Sequence, residues 1–297
     1  MTIQKTAMIT IAGRPNVGKS TLTNTLVGEK VAIISQKPQT TRNRICAVLN
    51  RNETQFVFLD TPGLHKPRTL LGDYMVRVTR ESVADVDAVL LLVEPVARVG
   101  VPEQILMEQL SQLNMPSLLV INKIDTVKKE TILEVIAQYQ NAHKFEAVFP
   151  ISAKTGDGIE TLFTELEKYS KPGPQLFPDG MASDQPEKQI IAEIVREKLL
   201  SCLDREVPHG TAVEITRFTE RENGIVDLDV TIYCEKASHK GIIIGKQGSM
   251  LKKIAGLARR DIEAFMGTKV YMETWVKLKE NWRDNQTWMR NFGFELD

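Results

Sequence analysis

The sequence predicts an α/β domain, with a mostly parallel sheet covered by helices on both faces, followed by a smaller α+β domain. Three observations predict this. Short apolar runs alternate with helical stretches across residues 7–169, the pattern of strands joined by crossover helices. The segment Lys171 to Glu187 then carries four prolines and two glycines without periodicity, which marks a semi-stiff linker. Beyond it the order becomes helix, strand, strand, helix, helix, strand. The expected boundaries are 1–172 for the first domain, 173–187 for the linker, and 188–297 for the second domain with a tail helix.

Bulk properties narrow the class. A chain of 297 residues has room for two cores of ordinary size. An apolar content of 42% with 26% charged residues excludes wholesale disorder. Net charge is zero, so nucleic-acid binding would need a local basic patch. The cysteines Cys46, Cys202 and Cys234 lack metal-type spacing and fit reduced thiols. The longest apolar run, Val86 to Val93, contains Asp87 and is too short to span a bilayer. Met1 to Thr6 lacks the apolar core of a secretion signal, and the expected location is cytoplasmic.

In order, Ala7 to Ala12 is a buried strand that runs into Gly13-Arg14-Pro15-Asn16-Val17-Gly18-Lys19-Ser20-Thr21. A helix from Lys19 to Val27 stops at Gly28, a natural terminator. Ser35 to Asn43 is polar and aperiodic, hence loop. Arg44–Asn50 and Gln55–Leu59 form a hairpin that feeds Asp60-Thr61-Pro62-Gly63. Helices are expected over Asp73–Ala84, Pro102–Leu113, Lys128–Asn141 and Gly158–Tyr169. Strands are expected over Ala88–Val93, Ser117–Ile121 and Ala147–Ile151. The last two strands lead into Asn122-Lys123-Ile124-Asp125 and Ser152-Ala153-Lys154. Each tetrad therefore falls at the carboxyl end of a strand, where open α/β sheets bind ligands. In the second domain, helices are expected over Lys188–Leu203, Ser238–Met266 (broken at Gly245) and Lys279–Arg290. Its strands are expected over Thr211–Thr219, Ile225–Glu235 and Lys269–Lys277.

The first loop is a phosphate cradle. Its glycines let backbone N–H groups close on phosphate oxygens, the helix dipole adds positive potential, and Lys19 reaches the outer phosphates. Ser20 is placed to ligate Mg²⁺. Asp60 supplies a carboxylate to the same ion through water, and the Gly63 N–H points to the γ-phosphate. Asp125 can accept from both N1–H and the 2-amino group of guanine, a donor pair adenine lacks. Lys123 can lie over the base, Asn122 ties this loop to the phosphate loop, and Ser152-Ala153-Lys154 can present a backbone N–H to guanine O6. The nucleotide is GTP.

These motifs resemble the translation-factor-related GTPases. Thr40-Thr41-Arg42-Asn43-Arg44 is similar to the switch loop of the Era-type members (the TrmE-Era-EngA branch). The resemblance implies that a switch threonine completes the Mg²⁺ shell, which is Thr41, with Thr40 as the fallback. Lys19, Thr41 and Gly63 are then the catalytic set. Leu64 stands where Ras-type enzymes carry a water-orienting glutamine. Leucine cannot hydrogen-bond water, and the adjacent His65 reads as a bystander. Intrinsic hydrolysis is therefore expected to be slow.

Gly245-Lys246-Gln247-Gly248 between two helices is the Gly-x-x-Gly loop of a KH fold, which clamps about four nucleotides. From Lys236 to Arg260 there are seven Lys or Arg and no acidic residue, the footprint of phosphate binding. The expected RNA contacts are Lys240, Gly241, Ile244, the loop residues 245–248, Lys252 and Lys253. Helix first and strand last matches the type II KH order. A GTPase domain followed by a KH domain resembles the Era-type family over nearly the whole chain. That implies binding near the 3′ end of 16S ribosomal RNA, a role in small (30S) subunit maturation, a monomer, and loose contact with the inner membrane. The 238–266 stretch also reads as a basic amphipathic membrane-surface helix, but its glycine break favours RNA. The competing functions are a passive RNA-binding chaperone with a structural GTPase domain, and a GTPase that assists tRNA modification. The tryptophans Trp275, Trp282 and Trp288 are expected to pack rather than stack on bases.

Overall fold

The computed structural model describes residues 3–64 and 67–294. They form two compact units, residues 3–64 with 75–184, and residues 67–74 with 185–294.

In the first unit the elements run β1 (Lys5–Ala12), α1 (Lys19–Val27), β2 (Ile45–Arg51), β3 (Thr54–Asp60), α2 (Leu70–Glu81, continuing from the other unit), β4 (Ala88–Val93), α3 (Val101–Gln112), β5 (Ser117–Ile121), α4 (Lys129–Ala142), β6 (Ala147–Pro150) and α5 (Ile159–Leu166). The sheet order is β2-β3-β1-β4-β5-β6. β3, β1, β4, β5 and β6 pair in parallel and β2 returns antiparallel along β3. β3, β4 and β5 are buried along their whole lengths, as expected of a sheet covered on both faces. On one face Ile9, Phe56 and Phe58 meet Leu22 of α1 and Phe163 of α5. On the other, Leu91 and Leu119 meet Leu106 of α3 and Tyr139 of α4. Strand order reverses at β1, between β3 and β4, so the crevice for a ligand opens beyond the end of β1.

The helix expected over Asp73–Ala84 begins earlier, at Leu70, and ends at Glu81. Of the segment read as a linker, the residues up to Asp184 lie in the first unit and 185–187 in the second. Lys171–Pro172 forms a short strand, β7, antiparallel to the start of β1. Gln55, fully buried on β3, accepts from the amides of Leu176 and Phe177 (2.8 and 2.9 Å) and donates to the Phe177 carbonyl (2.9 Å). Ser183 bridges Ala47, and the Val48 amide donates to the Ala182 carbonyl at 2.9 Å. Beyond Pro172 the prolines break up regular structure, yet the polar groups between them still find partners along β2 and β3.

The second unit contains α6 (Glu187–Cys202), β8 (Thr211–Glu220), β9 (Val226–Cys234), α7 (Ala237–Ile244), α8 (Ser249–Met266), β10 (Val270–Leu278) and α9 (Gln286–Asn291). β9 is central, antiparallel to β8 and parallel to β10. Ile191, Val195 and Leu199 of α6 pack with Leu228, Val230 and Ile232 of β9 and Ile254 and Ile262 of α8. This is the type II KH arrangement. The tail helix is shorter than its sequence suggests, because the chain first makes a tight turn at Trp282–Asp284. Trp282 anchors that turn, fully buried, with its indole N–H donating to the Gly210 carbonyl at 3.0 Å. Phe292 and Phe294 lie against its ring. Trp275 corrects the packing expectation, because it stands 41% exposed on β10.

Truncating Trp282 to alanine should cost about 3–5 kcal/mol, whereas Trp275→Ala should fall within about 0.5 kcal/mol. Urea unfolding of the two variants separates them, and equal losses would contradict this division.

Candidate functional site

The loops after β1, β3, β5 and β6 converge on one cleft of about 660 Å³ in the first unit, lined by Lys19, Ser20, Thr41, Gly63, Lys123 and Asp125 among others. This volume suits a nucleotide-sized ligand.

Lys19 opens α1 and is almost fully buried, with its ammonium donating to the carbonyls of Arg14 (2.9 Å) and Gly13 (3.1 Å). Burial lowers its pKa to about 8, against the opposing pull of Asp60. Asp60, at the end of β3, has no exposure, and burial raises its pKa to about 6 although Lys19 and the Ser20 hydroxyl oppose this. The Ser20 hydroxyl donates to Asp60 Oδ2 at 2.7 Å and lies 2.9 Å from Thr41 Oγ1. Among the described residues Asp60 Oδ1, also buried, has no hydrogen-bond partner. Two hydroxyls and an orphaned carboxylate oxygen at this spacing are hard donors that fit Mg²⁺. The structure thus brings Ser20, Thr41 and Asp60 together. Thr40 turns away, donating to the Lys37 carbonyl at 2.6 Å.

The base-reading side is equally ordered. Asn122, 2% exposed, donates to the Val17 carbonyl at 2.8 Å and accepts from the Ala153 amide at 2.9 Å. Ser152 Oγ donates to Asp125 Oδ1 at 2.8 Å, fixing the carboxylate. The Ser152 amide bonds the Asp157 carbonyl. Within the Ser152-Ala153-Lys154 segment, expected to present a backbone N–H to guanine O6, the amides of Ser152 and Ala153 are therefore engaged within the protein. Thr61 donates to the Ile11 carbonyl (2.9 Å) and Thr79 to the Pro62 carbonyl (3.1 Å), holding the 60–63 loop.

Several contributors escape sequence reasoning. Glu94 pairs with the Lys123 ammonium at 2.6 Å, which also donates to the Asn16 carbonyl. No motif marks Glu94. Ile33, Gln36 and Gln39 line the cleft from the loop before β2, where only polarity and aperiodicity signalled a loop. The Leu64 side chain packs beside the apolar cluster of Val83 and Leu91. His65 lies outside the described residues.

In the second unit, the Gly245–Gly248 turn joins α7 to α8, with Gly245 N–H donating to the Gly241 carbonyl at 2.9 Å. Lys246 and Gln247 are exposed at its tip, and Lys240, Gly241, Lys252 and Lys253 are exposed beside it. Among the described residues none of these four lysines enters an ion pair. Ile243 and Ile254 are buried in the core, Ile244 is half-buried, and Ile242 is 49% exposed.

The 50S ribosome-binding GTPase family matches residues 8–123 and the KH domain family residues 206–283. GTPase Era of Ruminiclostridium cellulolyticum is 49% identical, over 99% of this chain and 98% of the relative. GTPase Era of Clostridioides difficile is 47% identical, over 98% of each chain. The chain belongs to the Era GTPase family. A crystal structure of Era in complex with MgGDPNP and nucleotides 1506–1542 of 16S ribosomal RNA superposes with a TM-score of 0.94, at 36% identity, covering 99% of this chain and all of that one. Aquifex aeolicus Era bound to GDP·AlF₄⁻ gives 0.93 at 38% identity, over 98% of this chain and all of that one. Like its Era relatives, the chain is a GTPase.

Removing the Thr41 hydroxyl by Thr41→Ala should weaken Mg²⁺-dependent GTP binding by about tenfold or more, while Thr40→Ala leaves it within about twofold. Titrating Mg²⁺ against a fluorescent GTP analogue distinguishes them. Asp60 gives a second outcome. Its folded pKa of about 6 exceeds the unfolded value near ~3.9. In metal-free protein its contribution to stability is therefore full below pH ~4 and lost as pH rises through about 6. Mg²⁺ compensates the ionised form, so it should raise the melting temperature clearly at pH 7.5 and little at pH 5. Equal gains at both would contradict the assignment.

Proposed function

We propose that this Era-family GTPase is a slow GTP-hydrolysing switch that binds 16S ribosomal RNA near its 3′ end through the KH unit and assists small-subunit maturation. The observation that carries this reading is the coexistence, on one chain, of a nucleotide cleft and a Gly-x-x-Gly turn flanked by exposed lysines that enter no ion pair among the described residues. A solved Era protein, matched end to end, holds a GTP analogue and an RNA from that region.

In this reading Gly13 to Thr21 wrap the phosphates, Lys19 and the Gly63 N–H meet the γ-phosphate, and Asn122, Lys123, Asp125 and the 152–154 loop select guanine. Ser20 and Thr41 would hold Mg²⁺, with Asp60 acting through water. When bound it neutralises charge that develops on the transferred phosphoryl oxygens. Leu64 offers no hydrogen bond to the attacking water, which supports slow turnover. A slow rate suits a timer, and the passive-chaperone alternative gives the ordered Ser20–Thr41–Asp60 cluster no task. A cytoplasmic monomer, with contact at the inner-membrane surface, completes the proposal. Its support is the family resemblance and the three free cysteines. No helix among the described residues is long and apolar enough to cross a membrane.

The test is binding of a single-stranded 16S 3′-end oligonucleotide across a salt series, with GTP turnover measured in parallel. Substituting Lys252 and Lys253 together by alanine should lower the slope of log K against log salt by about 1.4, roughly 0.7 for each single-strand phosphate no longer neutralised by a lysine. An unchanged slope, or no binding by the parent protein at moderate salt, would remove the RNA half of the proposal.

A further inference from the structure

The geometry points to Glu103 as a positioning residue that holds the phosphate loop through Arg14. Glu103 lies in the first turn of α3 and has no solvent exposure. Its carboxylate forms an ion pair with Arg14 Nε, whose side chain is one-third exposed. Among the described residues neither carboxylate oxygen has a hydrogen-bond partner. Arg14 is therefore the compensating charge, and the helix N-terminus adds favourable potential. The position is closely built, because a Cβ on Gly100 would come within 2.6 Å of Glu103 Oε2. Tyr139 of α4 feels the same charges. Burial and the Glu103 carboxylate together push its phenol up to about 12, while Arg14 pulls the other way.

Fixing the Arg14 side chain fixes what its backbone carries. The Arg14 and Gly13 carbonyls accept from the Lys19 ammonium. The Gly13 carbonyl also accepts from the Leu64 amide at 3.1 Å. Pro15 touches Gly63 so closely that a Cβ there would lie 2.7 Å from the proline nitrogen. Residues 13–15 are thus held between α3 on one side and the 60–64 loop on the other. An uncompensated buried charge on either side of the pair would disturb this placement. The effect falls on the part of the site that grips phosphates shared by GDP and GTP.

This inference rests on the site binding guanine nucleotide, and parent protein that bound neither GDP nor GTP would sink that reading instead. The experiment measures GDP and GTP affinity, kcat and KM for the full-length variants Glu103→Gln, Arg14→Gln and the double substitution. Thermal unfolding is recorded beside them. Each single variant should lose about tenfold in affinity for both nucleotides, with KM rising and kcat changing by less than about threefold. The double variant should lose no more than the worse single one, because the pair acts as a unit. Where a single variant fails to fold, the double variant, which buries no charge, is read alone and should still bind GDP about tenfold more weakly. Glu103→Asp, which keeps the charge, should recover part of the affinity. Folded variants with parental GDP affinity, or losses that add in the double variant, would overturn the proposal. So would a lowered melting temperature without any change in KM.

Discussion

The carboxamide of Asn122 is the constraint on which the nucleotide cleft depends. It donates to the phosphate loop at Val17 and accepts from the Ala153 amide of the loop after β6, so one side chain joins three loops. Because it is almost wholly buried, losing either bond would leave a polar group unpaired in a dry site. Loops are the mobile part of an α/β domain, and this bridge converts three of them into a single rigid rim. The Asp125 carboxylate and the Lys19 ammonium thereby keep fixed positions relative to one another although 106 residues separate them.

Much of this was legible in the sequence because each motif is local. Glycine at position 13, with Gly18-Lys19-Ser20 after it, determines its own loop and helix start whatever else the chain does. The Asp60 and Asn122 tetrads announce themselves by following short apolar strands. Only a family pattern distinguishes Thr41 from Thr40 in the sequence, and the structure sets Thr41 beside Ser20. Illegible features are those set by long-range partners. Glu103 reads in sequence as an ordinary first-turn acid, and Glu94 as a strand-end charge. Nothing local says that one meets Arg14 and the other Lys123. The tryptophans make the same point, because Trp275 and Trp282 sit in similar company yet one faces solvent and the other fills a core.

The second unit shows how a weak motif gains meaning from its setting. Gly-x-x-Gly occurs often by chance, but here it lies at an exposed helix junction whose neighbouring lysines are not spent on carboxylates. Elsewhere in the same unit acids and bases do pair, as in Lys198 with Glu197 and Asp261, or Arg221 with Asp227. A zero net charge thus conceals a segregated one, and long-range attraction to phosphate survives at one face.

The passage from 171 to 184 has a consequence for how the first unit meets other molecules. β2 is an edge strand of the main sheet, and an open edge is a template for pairing with a second chain. Here Ala182, Ser183 and Asp184 occupy part of that edge, taking the Val48 amide, bridging Ala47 and accepting from the Cys46 amide. The proline-rich segment therefore covers part of that edge on its way out of the first unit. Excising the nucleotide-binding unit after Pro172 would bare that stretch of the strand, so a fragment that keeps the edge covered has to run to Asp184.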